Sequence, residues 1–213
     1  MIDLINGDST ELANKYIGPG SVDLIFTDPP YIKKQIHLYE WLARESNRVL
    51  KDTGFLLTYV GTYWKNEVMK LIDPELEYYF DFIIVNGNNS PLMWTKKVIS
   101  RHKSIIAYRK KGSETHPKTN VLSLIAGTGE DKRWHKWGQD VNSARYYLDM
   151  FSREKDLVVD YFLGGGTTAE ICKALDRNFI GFEIDKEVYN NARARVDGGM
   201  GPREKGRQLE LVK

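Results

Sequence analysis

With Cys172 as its single cysteine, the chain can form no internal disulfide, and its four histidines show neither CxxC nor HExxH spacing, so no zinc or metalloprotease signature is present. Cys172 itself reads as a small core residue. No window approaches the run of roughly 18 apolar residues that a membrane span needs. The opening Met1-Ile2-Asp3-Leu4-Ile5-Asn6-Gly7-Asp8 lacks the basic then apolar layout of a signal peptide, so a soluble, cytoplasmic protein is expected. Charge of one sign is also scarce, for the net is only +2 and says nothing about nucleic acid. The imbalance is local. Between Trp94 and Lys136 there are eleven Lys/Arg against three acids, a balance of +8, and the rest of the chain carries −6. A polyanion is drawn to one region only.

What the chain has is enough apolar residue, 41% of 213, for one sizeable core, which implies one domain over 1–213 with a small insertion. Short apolar runs alternate with helical spacing. Val22 to Thr27 reads as a strand, Leu38, Trp41, Leu42 and Val49 as a helix face, and Gly54 to Val60 as a second strand. Gly54 is expected to stop the helix, and Thr62 to cap the next one. Phe82 to Val85 and Ser104 to Tyr108 read as an antiparallel pair at the sheet edge, separated by a polar stretch. Residues 110–138 lack a period and read as a loop-rich insertion. Alternation then returns, with a helix over 142–151, strands 157–162 and 179–183, and helices from Thr167 and over 186–196. The pattern is that of a parallel α/β sheet.

Two constellations carry chemistry. The first is Thr27-Asp28-Pro29-Pro30-Tyr31, at the carboxyl end of strand 22–27, where open α/β sheets bind ligands. Successive prolines hold Asp28 and Pro29 extended, so the Asp28 carboxylate and the Pro29 carbonyl can act as two fixed acceptors beside an aromatic ring. An amino group conjugated to a base is a poor nucleophile. Accepting its N–H bonds localises the lone pair on nitrogen, while Tyr31 can stack on a base taken out of a duplex. The competing reading is a rigid turn after a strand.

The second is Asp160-Tyr161-Phe162-Leu163-Gly164-Gly165-Gly166-Thr167-Thr168, a strand running through a glycine loop into a helix. Glycines let a ligand touch the backbone, and the helix start favours an anionic group. Glu183, nineteen residues beyond Gly164, ends the next strand, where a carboxylate can accept both ribose hydroxyls. This is a nucleoside site, but Gly164, Gly166 and Ala169 also satisfy the G-x-G-x-x-A dinucleotide form, which leaves a nicotinamide enzyme open on this motif. Phe162 reads either as a cofactor contact or as core.

Basic and indole residues interleave twice, at Trp94, Lys96, Lys97, Arg101 and Lys103 and again at Lys132, Arg133 and Lys136 beside Trp134 and Trp137. Such sets suit phosphate contact with base stacking, against the alternative of solvated loops with a buried tryptophan.

Both motifs together, in this order, resemble the β group of DNA amino-methyltransferases, in which the catalytic tetrapeptide comes first, a recognition insertion follows and the cofactor motif comes last. The resemblance runs from Ile5-Asn6-Gly7-Asp8-Ser9 through Ser21 to Tyr31 and Arg48-Val49-Leu50-Lys51, and ends with Asp156 to Asp185. It implies a circularly permuted, Rossmann-like methyltransferase fold, doubly wound, with a mostly parallel seven-stranded sheet and a short recognition insertion at 110–138. Strand 157–162 would come first in the sheet, 179–183 second, 1–5 third and 22–27 fourth. It also implies methyl transfer from S-adenosylmethionine, without a metal, to an exocyclic amino group in double-stranded DNA. Adenine N6 is favoured because Asp-Pro-Pro-Tyr is the form usual for adenine enzymes; cytosine N4 and RNA adenine stay open. Asp28, Pro29, Pro30 and Tyr31 would hold the base. Asp8, Ser9, Asp28, Asp160, Phe162, Gly164, Gly165, Gly166, Thr167, Thr168 and Glu183 would form the cofactor site, with Asp8 near the adenine and Glu183 on the ribose. A homodimer and a cognate restriction enzyme are further expected partners. The chain departs from the family's usual Gly-Ser-Gly with Gly164-Gly165-Gly166, and from its usual His-Pro and Lys-Pro with Gly138-Gln139-Asp140-Val141-Asn142.

Overall fold

The computed structural model of the chain describes residues 1–85, 92–127, 134 and 140–198. In chain order the elements are β1 (Ile2–Asn6), α1 (Ser9–Tyr16), β2 (Val22–Thr27), a 3-10 turn Lys33–Gln35, α2 (Leu38–Val49), β3 (Leu50–Val60), α3 (Lys65–Ile72) and β4 (Leu76–Val85). They continue with β5 (Leu92–Met93), β6 (Val98–Ile99), β7 (His102–Lys110), β8 (Leu124–Ala126), α4 (Val141–Phe151), β9 (Leu157–Asp160), α5 (Thr167–Ala174), β10 (Asn178–Glu183) and α6 (Lys186–Val196).

The central sheet runs β1-β10-β9-β2-β3-β7-β4-β8. The expected order of third, second, first and fourth strands is therefore present, and the sheet reverses direction of winding between β9 and β2. Pairing is parallel except around β7, which lies antiparallel between β3 and β4. Strands covered on both faces must be apolar on both, and the central ones are. Leu24, Phe26, Leu57 and Val158 face α4, α5 and α6, while Ile25, Leu56 and Val159 face α1, α2 and α3. Cys172 is buried in the first of these layers.

Four expectations need correction. Among the described residues the sheet has eight strands rather than seven, because Leu124–Ala126 from the expected insertion pairs in parallel with Ile83–Val85. The 82–85 and 104–108 pair is consequently not terminal, since β8 covers β4. Gly54 lies inside β3 and stops no helix. A Cβ there would come within 2.9 Å of the Val22 carbonyl oxygen, so glycine is needed where β2 and β3 shift register. Thr62 caps nothing either, because its hydroxyl donates to the His102 carbonyl and α3 begins after Trp64 without a side-chain cap.

No helix among the described residues is long and apolar enough to cross a membrane.

Candidate active site

Strand polarity puts the ends of β1, β10, β9, β2 and β3 along one carboxyl edge, with the winding reversal at its centre, where doubly wound sheets leave a crevice. Thr27 ends β2 and Asp160 ends β9, and the Thr27 hydroxyl donates to Asp160 Oδ1 at 2.7 Å. Across this link the two motifs meet, although 132 residues of sequence separate Asp28 from Asp160. Asp160 also accepts from the Thr168 hydroxyl at 2.8 Å and the Phe162 amide at 3.1 Å. It is a buried strut joining β9, β2 and α5. Burial pushes its carboxyl up from the ordinary value, and those three donors oppose the shift.

Asp28 is only partly exposed, and its Oδ1 accepts from the Tyr31 hydroxyl. Desolvation pushes its carboxyl up to about 7, against the pull of the Tyr31 hydrogen bond and of the Lys103 ammonium; Asp160 adds to the rise. Tyr31 packs against Gly61, the residue after β3. A Cβ on Gly61 would lie 3.0 Å from the Tyr31 Cβ, so that glycine lets the ring sit against the backbone. Pro29 is buried and Pro30 partly so.

In the glycine loop, Gly164 and Gly166 have φ of +53° and +77°, a region that favours glycine. A Cβ on Gly166 would lie 3.0 Å from the Ala192 Cβ of α6, whereas one on Gly164 would meet nothing closer than 3.9 Å, so of these two positions the loop is open at Gly164. The Gly164 amide donates to Glu183 Oε2 and the Asp185 amide to Oε1, both at 2.9 Å. Each oxygen keeps about one acceptor position, enough for the two hydroxyls of a ribose. Burial raises the Glu183 carboxyl above its ordinary value, opposed by these two amides. At the neighbouring strand end, Asn6 Nδ2 and the Gly7 amide donate to the Glu183 carbonyl at 2.8 and 2.9 Å. Asp8 caps α1, accepting from the Thr10 amide at 2.8 Å, and Ser9 is buried beside it. Phe162 is half-buried against the layer that includes Leu12 and Trp41.

Several of these residues were legible only in part. Thr167 is buried, and its hydroxyl accepts from Arg195 at 2.9 Å; the same guanidinium donates to the Gly165 carbonyl at 3.3 Å. Arg195, 3% exposed, carried no sequence signal beyond an ordinary helical charge. Tyr59 reads from the sequence only as an aromatic within a strand. Its hydroxyl is buried, has no hydrogen-bond partner among the described residues, and lies within electrostatic reach of Asp28, Asp140 and Asp160. The open backbone at Gly164 and the half-satisfied Glu183 carboxylate fit a polar nucleoside ligand in this crevice.

The expected nucleic-acid residues divide. Trp94, Lys96 and Lys97 form the turn of the small hairpin β5–β6, whose two apolar pairs Leu92-Met93 and Val98-Ile99 were the overlooked signal. Arg101 is exposed, whereas Lys103 is partly buried and acts electrostatically on Asp28. Lys132, Arg133 and Lys136 lie outside the described residues, as does Trp137, while Trp134 is buried. No cluster of three or more potential metal ligands occurs among the described residues.

The pattern of the DNA methylase family matches residues 22–194. The chain is 27% identical to the type II methyltransferase M.HpaI of Haemophilus parainfluenzae over 229 residues, covering 87% of this chain and 71% of that protein. Its fold matches the crystal structure of the M1.HpyAVI–SAM complex with a TM-score of 0.75 at 22% identity, over 92% of this chain and all of that one. It matches the PvuII DNA methyltransferase, described as cytosine-N4-specific, with a TM-score of 0.76 at 19% identity, over 90% and 85% of the two chains.

Proposed function

The chain belongs to the DNA methylase family, the S-adenosylmethionine-dependent DNA methyltransferases, and from that premise we propose that it methylates adenine N6 of a base turned out of double-stranded DNA. The observation that carries this reading is Asp28. A carboxylate held by Tyr31, desolvated to a pKa of about 7 and tied through Thr27 to the cofactor loop is suited to grip an amino group there. The choice of adenine over cytosine rests on the Asp-Pro-Pro-Tyr form of the tetrapeptide.

When bound, S-adenosylmethionine supplies an electrophilic sulfonium methyl. The open backbone at Gly164 and the spare acceptor positions of Glu183 suit its backbone and ribose contacts, and Asp8 and Ser9 suit the neighbouring adenine. Tyr59, with its orphaned hydroxyl, is an added candidate. Asp28 and the Pro29 carbonyl accept the two N–H bonds of the target amino group, which concentrates the lone pair on nitrogen. Tyr31 stacks on the base, and its hydroxyl gives up Asp28 as the amino group arrives. Near neutral pH, Asp28 can then hold the proton that nitrogen sheds. Asp160, Thr167 and Thr168 act by fixing the loop, since their side chains are committed to the fold.

Tritiated S-adenosylmethionine incubated with duplex DNA and with RNA, followed by nucleoside analysis, tests the proposal. Labelled N6-methyladenine from DNA is expected, and Asp28→Ala should remove it while calorimetric cofactor affinity persists. N4-methylcytosine would reassign the base, label in RNA the polymer, and near-normal turnover by Asp28→Ala would return the tetrapeptide to a rigid turn. A homodimer remains part of the reading; a single-chain mass by light scattering at working concentration refutes it.

A further inference from the structure

An isolated two-stranded hairpin is marginal in water at best, yet β5–β6, which lies between β4 and β7 in the chain, leaves large apolar side chains uncovered. Leu92, Trp94, Val98 and Ile99 are all exposed, Trp94 at 73%. Side-chain contact steadies the turn. Tyr63 bonds Thr95 through its hydroxyl at 3.0 Å, and the Lys96 ammonium lies 4.5 Å from the centre of the Tyr63 ring. Tyr63 follows Gly61 by two residues within one turn, closed by the Trp64 amide donating to the Gly61 carbonyl at 3.0 Å, and Gly61 is the residue on which the Tyr31 ring rests. The hairpin tip is therefore coupled to the base-holding tyrosine through one short loop.

Its chemistry is mixed in a particular way. Lys96, Lys97 and Arg101 are exposed around a single exposed indole. Lipid would leave Trp94 without a reason to sit beside the catalytic edge, and an apolar protein surface would have to bury three cations. A duplex delivering a base to Asp28 must lie over this same edge, and there the cations meet phosphates while the indole meets the stack. Turning a base out leaves a gap between its former neighbours that costs free energy until something fills it.

We propose that Trp94 is the wedge of this enzyme, entering the base stack at the gap left by the extruded nucleotide, with Lys96, Lys97 and Arg101 holding the flanking phosphates. The proposal rests on the methyltransferase reading and goes beyond it, because it assigns the hairpin to base extrusion rather than to binding in general.

The test compares single-turnover methylation by the wild type and by Trp94→Ala on two duplexes of one sequence, one fully paired and one with an abasic site opposite the target. On the paired duplex Trp94→Ala should be slower by at least about tenfold, within the worth of a base–aromatic stack. On the abasic duplex, where extrusion is already easy, its rate should return to within about twofold of the wild type, and Trp94→Phe should recover part of the loss on the paired one. Equal losses on both duplexes would overturn the proposal in favour of simple contact. Equal losses accompanied by a fall from dimer to monomer mass would hand the patch to a second copy of the chain, and an unaffected Trp94→Ala would leave the hairpin without a role in extrusion. If the wild type methylates neither duplex, it is the methyltransferase reading itself that has failed.

Discussion

Burial lifts the Asp28 carboxyl to about 7, while the Tyr31 hydroxyl and the Lys103 ammonium pull it down and Asp160, Tyr39 and Tyr59 stand within its field. Only the ionised form can take the proton that the amino nitrogen sheds, so kcat/KM is expected to rise with pH through a midpoint near 7. Tyr31→Phe keeps the ring but removes the hydrogen bond, and Lys103→Met removes the charge; both should move that midpoint upward. A pH–rate profile unmoved in both variants would show that Asp28 is not the titrating group. Stability should respond in the opposite sense. A carboxyl with a raised folded pKa contributes fully below its unfolded value, near 3.8, and loses that contribution as pH climbs through about 7. Asp28→Asn should therefore be more stable than the wild type at pH 8, on the order of 1–3 kcal/mol, with the gain fading as thermal melts are repeated toward pH 4. Lys103 illustrates what a linear reading misses. Its position in a basic run suggests phosphate contact, and only the pairing of β7 with β3 brings it next to the residues that follow β2.

Elements whose burial is two-sided were the most legible. β2, β9 and β10 are short continuous apolar runs with motif residues at their carboxyl ends, and the family resemblance supplied their winding order. β8 was hidden because three residues make too short a period to detect, and the β5–β6 hairpin because its strands are two residues each. Arg195 belongs to the same scale, since α6 must pack on α5 before its guanidinium can reach the glycine loop. There it bonds the Gly165 carbonyl, the Thr167 hydroxyl and Glu170, and so restrains a loop that, with three successive glycines, has more backbone freedom to lose than Gly-Ser-Gly. Arg195→Met should lower stability by about 1–3 kcal/mol and also weaken S-adenosylmethionine binding. Glu183→Ala should weaken that binding by a similar amount while leaving the fold intact. Calorimetry paired with thermal melts separates the two, and a destabilised Arg195→Met of unchanged cofactor affinity would reduce Arg195 to a core ion pair.

Across the whole molecule, the +8 balance of residues 94–136 is not one surface. Arg109 pairs with Glu77, Lys110 with Asp52 and Lys118 with Asp149, while Lys111 donates to the Pro74 carbonyl, so this half of the run is engaged by the fold. Residues 109 and 110 end β7, which runs against β3, and so lie at the sheet edge opposite Asp28. Lys96, Lys97 and Arg101 precede β7 and lie at the catalytic edge. Composition alone could not divide them, because antiparallel pairing decides which end of a strand meets which edge. The division predicts how DNA affinity depends on salt. Replacing Lys96, Lys97 and Arg101 together with alanine should flatten the slope of log K against log salt by up to about 0.9 per lost phosphate contact, close to 2.7 if all three engage. Replacing Lys110 and Lys111 with alanine should leave the slope within error, since neither faces the duplex. Fluorescence anisotropy titrations between 50 and 200 mM salt, about the range over which such contacts change affinity by orders of magnitude, measure both. Equal flattening in the two variants would mean that the duplex spans both edges of the sheet, and the assignment of the carboxyl edge as the DNA face would fall with it.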